Sequence, residues 1–214
     1  MTRLRYVYAV CRPFDAALQA QLTGVAGVPP KLLTHHGLVA VVSTVPEADF
    51  AEEPLRQRTD DGDRAHHAVI DALTAVTTPL PLRPATVFRD DSAVRVMIEE
   101  REDDFRRALD RFCGRVEWRV KVYLEGLEEN AEVFAGQLHR TLSRYAEDHR
   151  LYASPNVLEA AYLVTREDSE QFVELVDRTK READGIAPGP RVELTGPWAV
   201  YSFFGSGTGC GPRS

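Results

Sequence analysis

Strict alternation of apolar and polar residues marks the stretch 116–124, VEWRVKVYL. Val116, Trp118, Val120, Val122 and Leu124 fall on one side of an extended chain, with Glu117, Arg119, Lys121 and Tyr123 on the other. This is the pattern of a half-buried strand in a sheet covered on one face. Two other apolar, β-rich runs, 80–88 and 157–165, can pair with it, and each leads into an amphipathic helix.

The remaining elements follow in order. A strand is expected over 4–11 and a short helical or looped segment over 14–22. KLLTHH and LVAVVSTV then flank a turn at His35, His36 and Gly37, which predicts a hairpin. The polar, acidic stretch from Pro46 to Arg58 holds a short helix. From Asp63 to Val76 a helix places Ala65, Val69, Ala72, Leu73 and Val76 on one face, with Asp60, Asp61 and Asp63 suited to its N-terminus. Pro79, Pro81 and Pro84 cannot donate ladder hydrogen bonds, which confines 79–88 to a sheet edge and makes it the expected domain boundary. A long helix over 92–112 directs Val94, Ile98, Phe105, Leu109 and Phe112 inward, and a further helix spans 130–149. Asp168 and Gln171 have capping-box spacing before a helix over 168–184, and strand-like RVELTG and WAVYSFF follow within 191–203.

Two βαβ units in series within 80–203 are the recipe for a split βαβ sheet. The expected fold class is therefore α+β. An N-terminal α+β domain occupies 1–78 and a modified ferredoxin-like domain 79–204, with the 130–149 helix as an insertion. A flexible Gly-rich tail closes the chain at 205–214.

With 214 residues, 43% hydrophobic and 28% charged, the chain can bury one large core or two small ones. A formal net charge of −7 disfavours nucleic acid and anionic membrane as partners, both of which call for clustered Lys and Arg. Cys11, Cys113 and Cys210 are odd in number and widely spaced, so no disulfide framework or zinc motif is indicated and a reducing cytoplasm fits. The apolar part of the N-terminus is too short for a secretory signal, and no run reaches the roughly 18 to 20 apolar residues of a membrane span.

Candidate chemistry is sparse. His66 and His67 with Asp63, and His35 with His36, offer imidazoles, but without HxxxH or HExxH spacing solvated or capping histidines are the simpler reading. The acidic run EEREDD, interspersed with arginines, reads as a solvated helix face with i,i+4 pairs. GSGTGCG lacks the strand before and helix after it that a dinucleotide loop needs. No GxSxG elbow or GxxxxGK[ST] loop occurs, and Cys113 is placed at a helix C-terminus, which disfavours a thiolate. No catalytic residue, cofactor site or metal site is therefore expected.

Four segments in register resemble the gas vesicle protein F and L family. They are YVYAV (6–10), PLPLRPATVF (79–88), GRVEWRVKVYL (114–124), and the pair AAYLV (160–164) and GPWAVYSF (196–203). The chain departs from the family pattern at Pro84-Ala85, Arg119, Glu159 and Ala199-Val200. The resemblance implies an N-terminal α+β domain, a C-terminal ferredoxin-like domain, and a cytoplasmic, vesicle-associated accessory role without catalytic residues. The implied partners are the small hydrophobic gas vesicle shell protein and other gas vesicle accessory proteins.

Two routes to such partners are expected: β-augmentation at a sheet edge, or an apolar groove between the domains. The residues put forward for partner binding are Arg83, Val87, Arg119, Lys121, Trp198 and Val200, with 79–88 and 196–203 as the edges. The rival reading is a small-molecule module or enzyme, with Arg83, Glu117, Arg119, Lys121 and Tyr123 converging on a pocket. An RRM-like nucleic-acid reader ranks third, disfavoured by the acidic charge.

Overall fold

The computed structural model describes residues 2–14, 22–51, 59–123, 128–184 and 190–204. The expected 14–22 segment falls almost wholly outside these residues. So do Leu124, Arg58, Cys210 and the Gly-rich tail 205–214. The chain divides into two compact units, Met1–Cys113 and Gly114–Ser214.

In the first unit, β1 (Arg3–Cys11) is the central strand, buried from Tyr6 to Cys11. It pairs antiparallel with β3 (Leu38–Pro46), which pairs with β2 (Lys31–His35) through a two-residue turn. His36 and Gly37 both have positive φ, 50° and 69°, as a type I′ hairpin requires, so the expected hairpin is present. α1 (Ala48–Ala51) and α2 (Thr59–Val76) follow, and α2 packs against β1. Val69, Ile70 and Leu73 are buried on α2, whereas Val76 is 44% exposed at its end.

The stretch 79–88 belongs to this unit. Its prolines reduce it to two short pieces, β4 (Leu80–Pro81) and β5 (Val87–Phe88), both paired with β1. α3 (Asp91–Glu100) and α4 (Glu102–Phe112) then pack against β2, β4 and β5. The domain boundary expected at 78/79 thus moves to Cys113/Gly114, and the 80–88 run joins a different sheet from 116–124. The helix expected over 92–112 is broken at Arg101, which leaves the helical region at φ −124° and ψ 17°. Its inward residues are as expected: Val94, Ile98, Phe105, Leu109 and Phe112 are all buried. Asp90 caps α3, accepting from the Ala93 N–H at 2.9 Å.

The second unit runs β6 (Arg115–Tyr123), α5 (Glu128–Tyr145), β7 (Asp148–Leu151), β8 (Leu158–Thr165), α6 (Ser169–Asp184) and β9 (Arg191–Trp198). Its strands are ordered β7-β8-β6-β9, all antiparallel. The βαββαβ order is that of a ferredoxin-like split βαβ sheet. The helix anticipated as an insertion is its first crossover, ending at Tyr145, and β7 occupies the residues that the longer helix was expected to take.

One face of this sheet carries the core. Val116, Trp118, Val120 and Val122 meet Ala160, Tyr162 and Val164 beneath Leu138, Leu142, Phe172 and Val176 of the helices. Fully burying a side chain the size of Phe172 contributes about 2–3 kcal/mol, so this layer is the main source of the unit's stability. The inward alternation of 116–122 is as the sequence pattern requires.

Candidate interaction surface

The outward side chains of β6 form a ladder of polar pairs. Arg115 Nε meets Glu147 at 2.7 Å, Lys121 Nζ meets Glu159 at 3.4 Å, and the Tyr123 hydroxyl donates to Glu193 at 2.8 Å. Glu193 raises the Tyr123 pKa by accepting that bond, while the Ser154 hydroxyl, helped by Lys121, lowers that of Glu159. These are the cross-strand pairs that an exposed sheet face favours.

Glu117 breaks the pattern. Expected on a solvated face, it is fully buried. The chain beyond β9 folds back over the sheet at this point, burying Ala199, Val200 and Phe203. The Glu117 carboxylate accepts from Arg119 Nε at 2.8 Å, from the Ser202 backbone N–H at 2.7 Å and from the Ser202 hydroxyl at 2.6 Å. Ser202 also bonds the Tyr152 hydroxyl. A carboxylate is tolerated at such depth only when its oxygens are engaged in this way. Gly196 permits the approach: its φ is 135°, and a Cβ there would lie 2.9 Å from both the Glu117 carbonyl oxygen and the Trp118 ring. The EW and GPW-xx-YSF segments, 85 residues apart at Glu117 and Ser202, are therefore one structural unit.

The six residues put forward for partner binding divide between the two units, with Arg83 and Val87 in the first and Arg119, Lys121, Trp198 and Val200 in the second. Arg83 is exposed in the turn between β4 and β5, and Val87 is half-buried on β5. Arg119 and Lys121 are half-buried and paired with Glu117 and Glu159. Trp198 is half-buried at the end of β9, its Nε1 donating to Thr195 at 3.3 Å. Val200 lies beyond β9 and is 1% exposed, so it is an anchor for the folded-back segment and not an edge-strand residue. Of the groups proposed to line a small-molecule pocket, Glu117 and Arg119 meet each other, Lys121 and Tyr123 each meet a different partner, and Arg83 lies in the first unit.

β5 remains a sheet edge. Val7 N donates to the Thr86 carbonyl at 2.9 Å, and Tyr6 faces Val87 in the ladder. Tyr6 and Val87 are thus a non-hydrogen-bonded pair, which turns the Val87 N–H and C=O away from β1. β7 is an edge of the second sheet, and its end exposes Leu151 at 59% and Tyr152 at 40%. Ser202, Tyr152 and β7 were not singled out from sequence. The run of apolar residues 198–200, interrupting alternation, was the available signal for the fold-back.

His66 also differs from the expected solvated or capping role. It is fully buried, with Nδ1 2.9 Å from the Tyr6 hydroxyl. Burial pulls its pKa down to about 4. The stretch Glu99–Asp104 with Arg107 lines an open polar groove on the surface, in keeping with a solvated acidic face.

Taken together, the two sheets define an α+β protein that presents strand edges and paired charges. Among the described residues no helix is long and apolar enough to cross a membrane. The model for the gas vesicle synthesis proteins GvpL/GvpF matches residues 4–133 and 125–205, and the chain belongs to that family. It is 47% identical to gas vesicle protein L of Streptomyces sp. (strain CB03234), over 95% of this chain and 93% of that one. Gas vesicle protein F of the same strain is 28% identical over 93% of this chain and 82% of its own length. The fold matches crystal structures of GvpF from Microcystis aeruginosa (TM-score 0.78, 17% identity, 95% and 99% coverage) and Anabaena sp. PCC7120 (0.76, 17%, 94% and 96%). Family membership assigns the chain to gas vesicle synthesis.

Proposed function

We propose that this chain is an accessory protein of gas vesicle assembly that binds the hydrophobic shell protein and other gas vesicle proteins, limiting shell-protein aggregation during nucleation. The observation that carries this reading is the family match along almost the whole chain. Physical support comes from the outward-turned backbone of β5 and from the net charge of −7, which keeps a complex with an apolar subunit dispersed. Binding is by strand addition: an extended segment of the shell protein pairs with β5, taking up the Val87 N–H and C=O. The protein acts in the cytoplasm, at the vesicle, without a catalytic step.

The test is co-purification with the shell protein from cells that express both, together with light scattering of the shell protein as it is diluted from denaturant. The intact chain is expected to be retained and to suppress scattering. Absence of both effects would overturn the reading. Val87→Pro tests the strand-addition route, because it removes an outward donor and leaves the β1 ladder bonds at Thr86 and Phe88 in place. It is expected to reduce shell-protein capture about tenfold, the equivalent of ~1.4 kcal/mol, with the circular dichroism spectrum unchanged. Unaltered capture by a folded Val87→Pro chain sinks the β5 route alone. Val200 is unsuitable for this purpose, since a charge or proline there would disrupt the buried segment itself.

A further inference from the structure

The β2–β3 turn and the break between α3 and α4 bring together a group of donors that the function above does not use. His35 and His36 stand at the turn, and Glu99 and Glu102 flank the break at Arg101. His35 Nε2 lies 2.6 Å from Glu99 Oε1, and His36 Nδ1 lies 2.6 Å from Glu102 Oε2. The two imidazoles stack at 4.3 Å with an 18° tilt. A carboxylate oxygen can only accept, so each of these contacts requires a cation or a proton on the imidazole side.

We propose that His35, His36 and Glu99 form a binding site for a borderline divalent transition ion, zinc or nickel by class, which ties the β2–β3 turn to the end of α3. The ligand atoms of these three residues all lie within 4.8 Å of one another. A tetrahedral ion with bonds of ~2.0–2.1 Å holds its ligands about 3.4 Å apart. Binding therefore requires the 2.6 Å His35–Glu99 contact to widen, for which the Glu99 side chain, 48% exposed, has room, and the His35 ring to tilt out of its stack on His36. Two imidazoles and one carboxylate suit zinc, nickel or cobalt and discriminate against magnesium and calcium, which require oxygen ligands.

The surroundings are organised for this role. The His36 Nδ1–H donates to Glu102, which orients the ring and leaves Nε2 for the ion, as in carboxylate–histidine–metal triads. Glu102 in turn accepts from Arg106 Nε at 2.8 Å, and Arg106 Nη2 donates to the His36 carbonyl at 2.5 Å. Side chain and backbone of His36 are thus held by one helix turn of α4. Solvent supplies the fourth ligand, so the site is a clamp open on one side. It acts on this unit's stability and is independent of shell-protein binding.

The experiment is titration of the untagged full chain with zinc chloride, read by calorimetry and by thermal unfolding. One zinc per chain is expected, with a rise in unfolding temperature that grows with zinc concentration. Glu99→Gln and His35→Gln should each weaken binding by about tenfold or more and abolish the thermal shift, whereas His149→Gln and His67→Gln leave both unchanged. Magnesium at the same concentration should produce no shift. Binding that is absent, or that survives Glu99→Gln and His35→Gln equally, would overturn the assignment. Both variants replace partly exposed side chains, and circular dichroism establishes that they fold.

Discussion

Replacing Glu117 with alanine is expected to destabilise the C-terminal unit by about 2–4 kcal/mol. Hydrogen bonds to an ionised group contribute about 1.5–3 kcal/mol each, but three that share one carboxylate do not add. Arg119 is 39% exposed and regains water when its partner is removed, so its share is small. The main loss comes from Ser202, whose N–H and hydroxyl are held by Glu117 at 2.7 and 2.6 Å beside the buried Val200 and Phe203. Glu117→Gln keeps one acceptor but directs an amide donor at another donor, and should cost about half as much. The measurement is unusually clean, because both tryptophans of the chain, Trp118 and Trp198, lie in this unit. Urea unfolding followed by tryptophan fluorescence should show a lower midpoint for Glu117→Ala at an unchanged slope. A shift below about 0.5 kcal/mol, the range of ordinary surface substitutions, would mean that the carboxylate does not hold the folded-back segment.

The same cluster shows where sequence reading succeeds and where it stops. Alternation over 116–122 identified the strand and its inner face, because that face is defined by residues two apart and needs no knowledge of distant chain. The outer face was legible only as charged. That Glu117 is buried depends on Ser202, 85 residues away, and no local pattern records such a contact. The stretch 79–88 was rightly confined to an edge by its prolines, yet which sheet it joins is decided by pairing with β1, again a distant partner. β7 is four residues long with three exposed, so it carries no hydrophobic period to detect. His66 is different, since its position was recoverable. Residues 66, 69, 70 and 73 recur at helical spacing on the face of α2 that is buried, whereas the expected face, set on Ala65, Val69, Ala72, Leu73 and Val76, leaves His66 out. Of the six partner-binding residues, Val87 and Trp198 lie on edge strands as expected of their segments, Val87 on β5 and Trp198 at the end of β9, although β5 belongs to a different sheet from the one expected.

Acidification from pH 7 to 4 is expected to weaken the N-terminal unit by about 3 kcal/mol through His66 alone. The Tyr6 hydroxyl accepts from the Ala85 N–H at 3.1 Å, and therefore donates its own proton to His66 Nδ1. The Tyr6 pKa, raised by burial to about 12, keeps that donor in place over the whole range. His66 is thereby fixed as the neutral tautomer with its hydrogen on Nε2, which lies near the Leu82 carbonyl without reaching hydrogen-bond geometry. Protonating Nδ1 would turn an acceptor into a second donor facing the Tyr6 hydroxyl, inside a pocket formed by the Tyr6 and Tyr8 rings. The folded-state pKa of about 4 lies below the 6.5 of a free histidine, so the unfolded chain binds more protons between these values. Stability from this group is complete above pH 6.5, falls as pH drops through that window, and changes no further below about 4. At ~1.4 kcal/mol per pKa unit the fall sums to about 3 kcal/mol. Asp90 and Glu102, both with lowered pKa values, add their own losses at the acidic end, so the test is a difference between two chains. His66→Gln keeps an acceptor for Tyr6 but does not titrate. Hydrogen exchange at the β1 and α2 amides, corrected for intrinsic rates, should show protection in the wild type falling between pH 6.5 and 4.5 more steeply than in His66→Gln. Parallel pH profiles for the two chains would show that the buried imidazole is not what resists the proton.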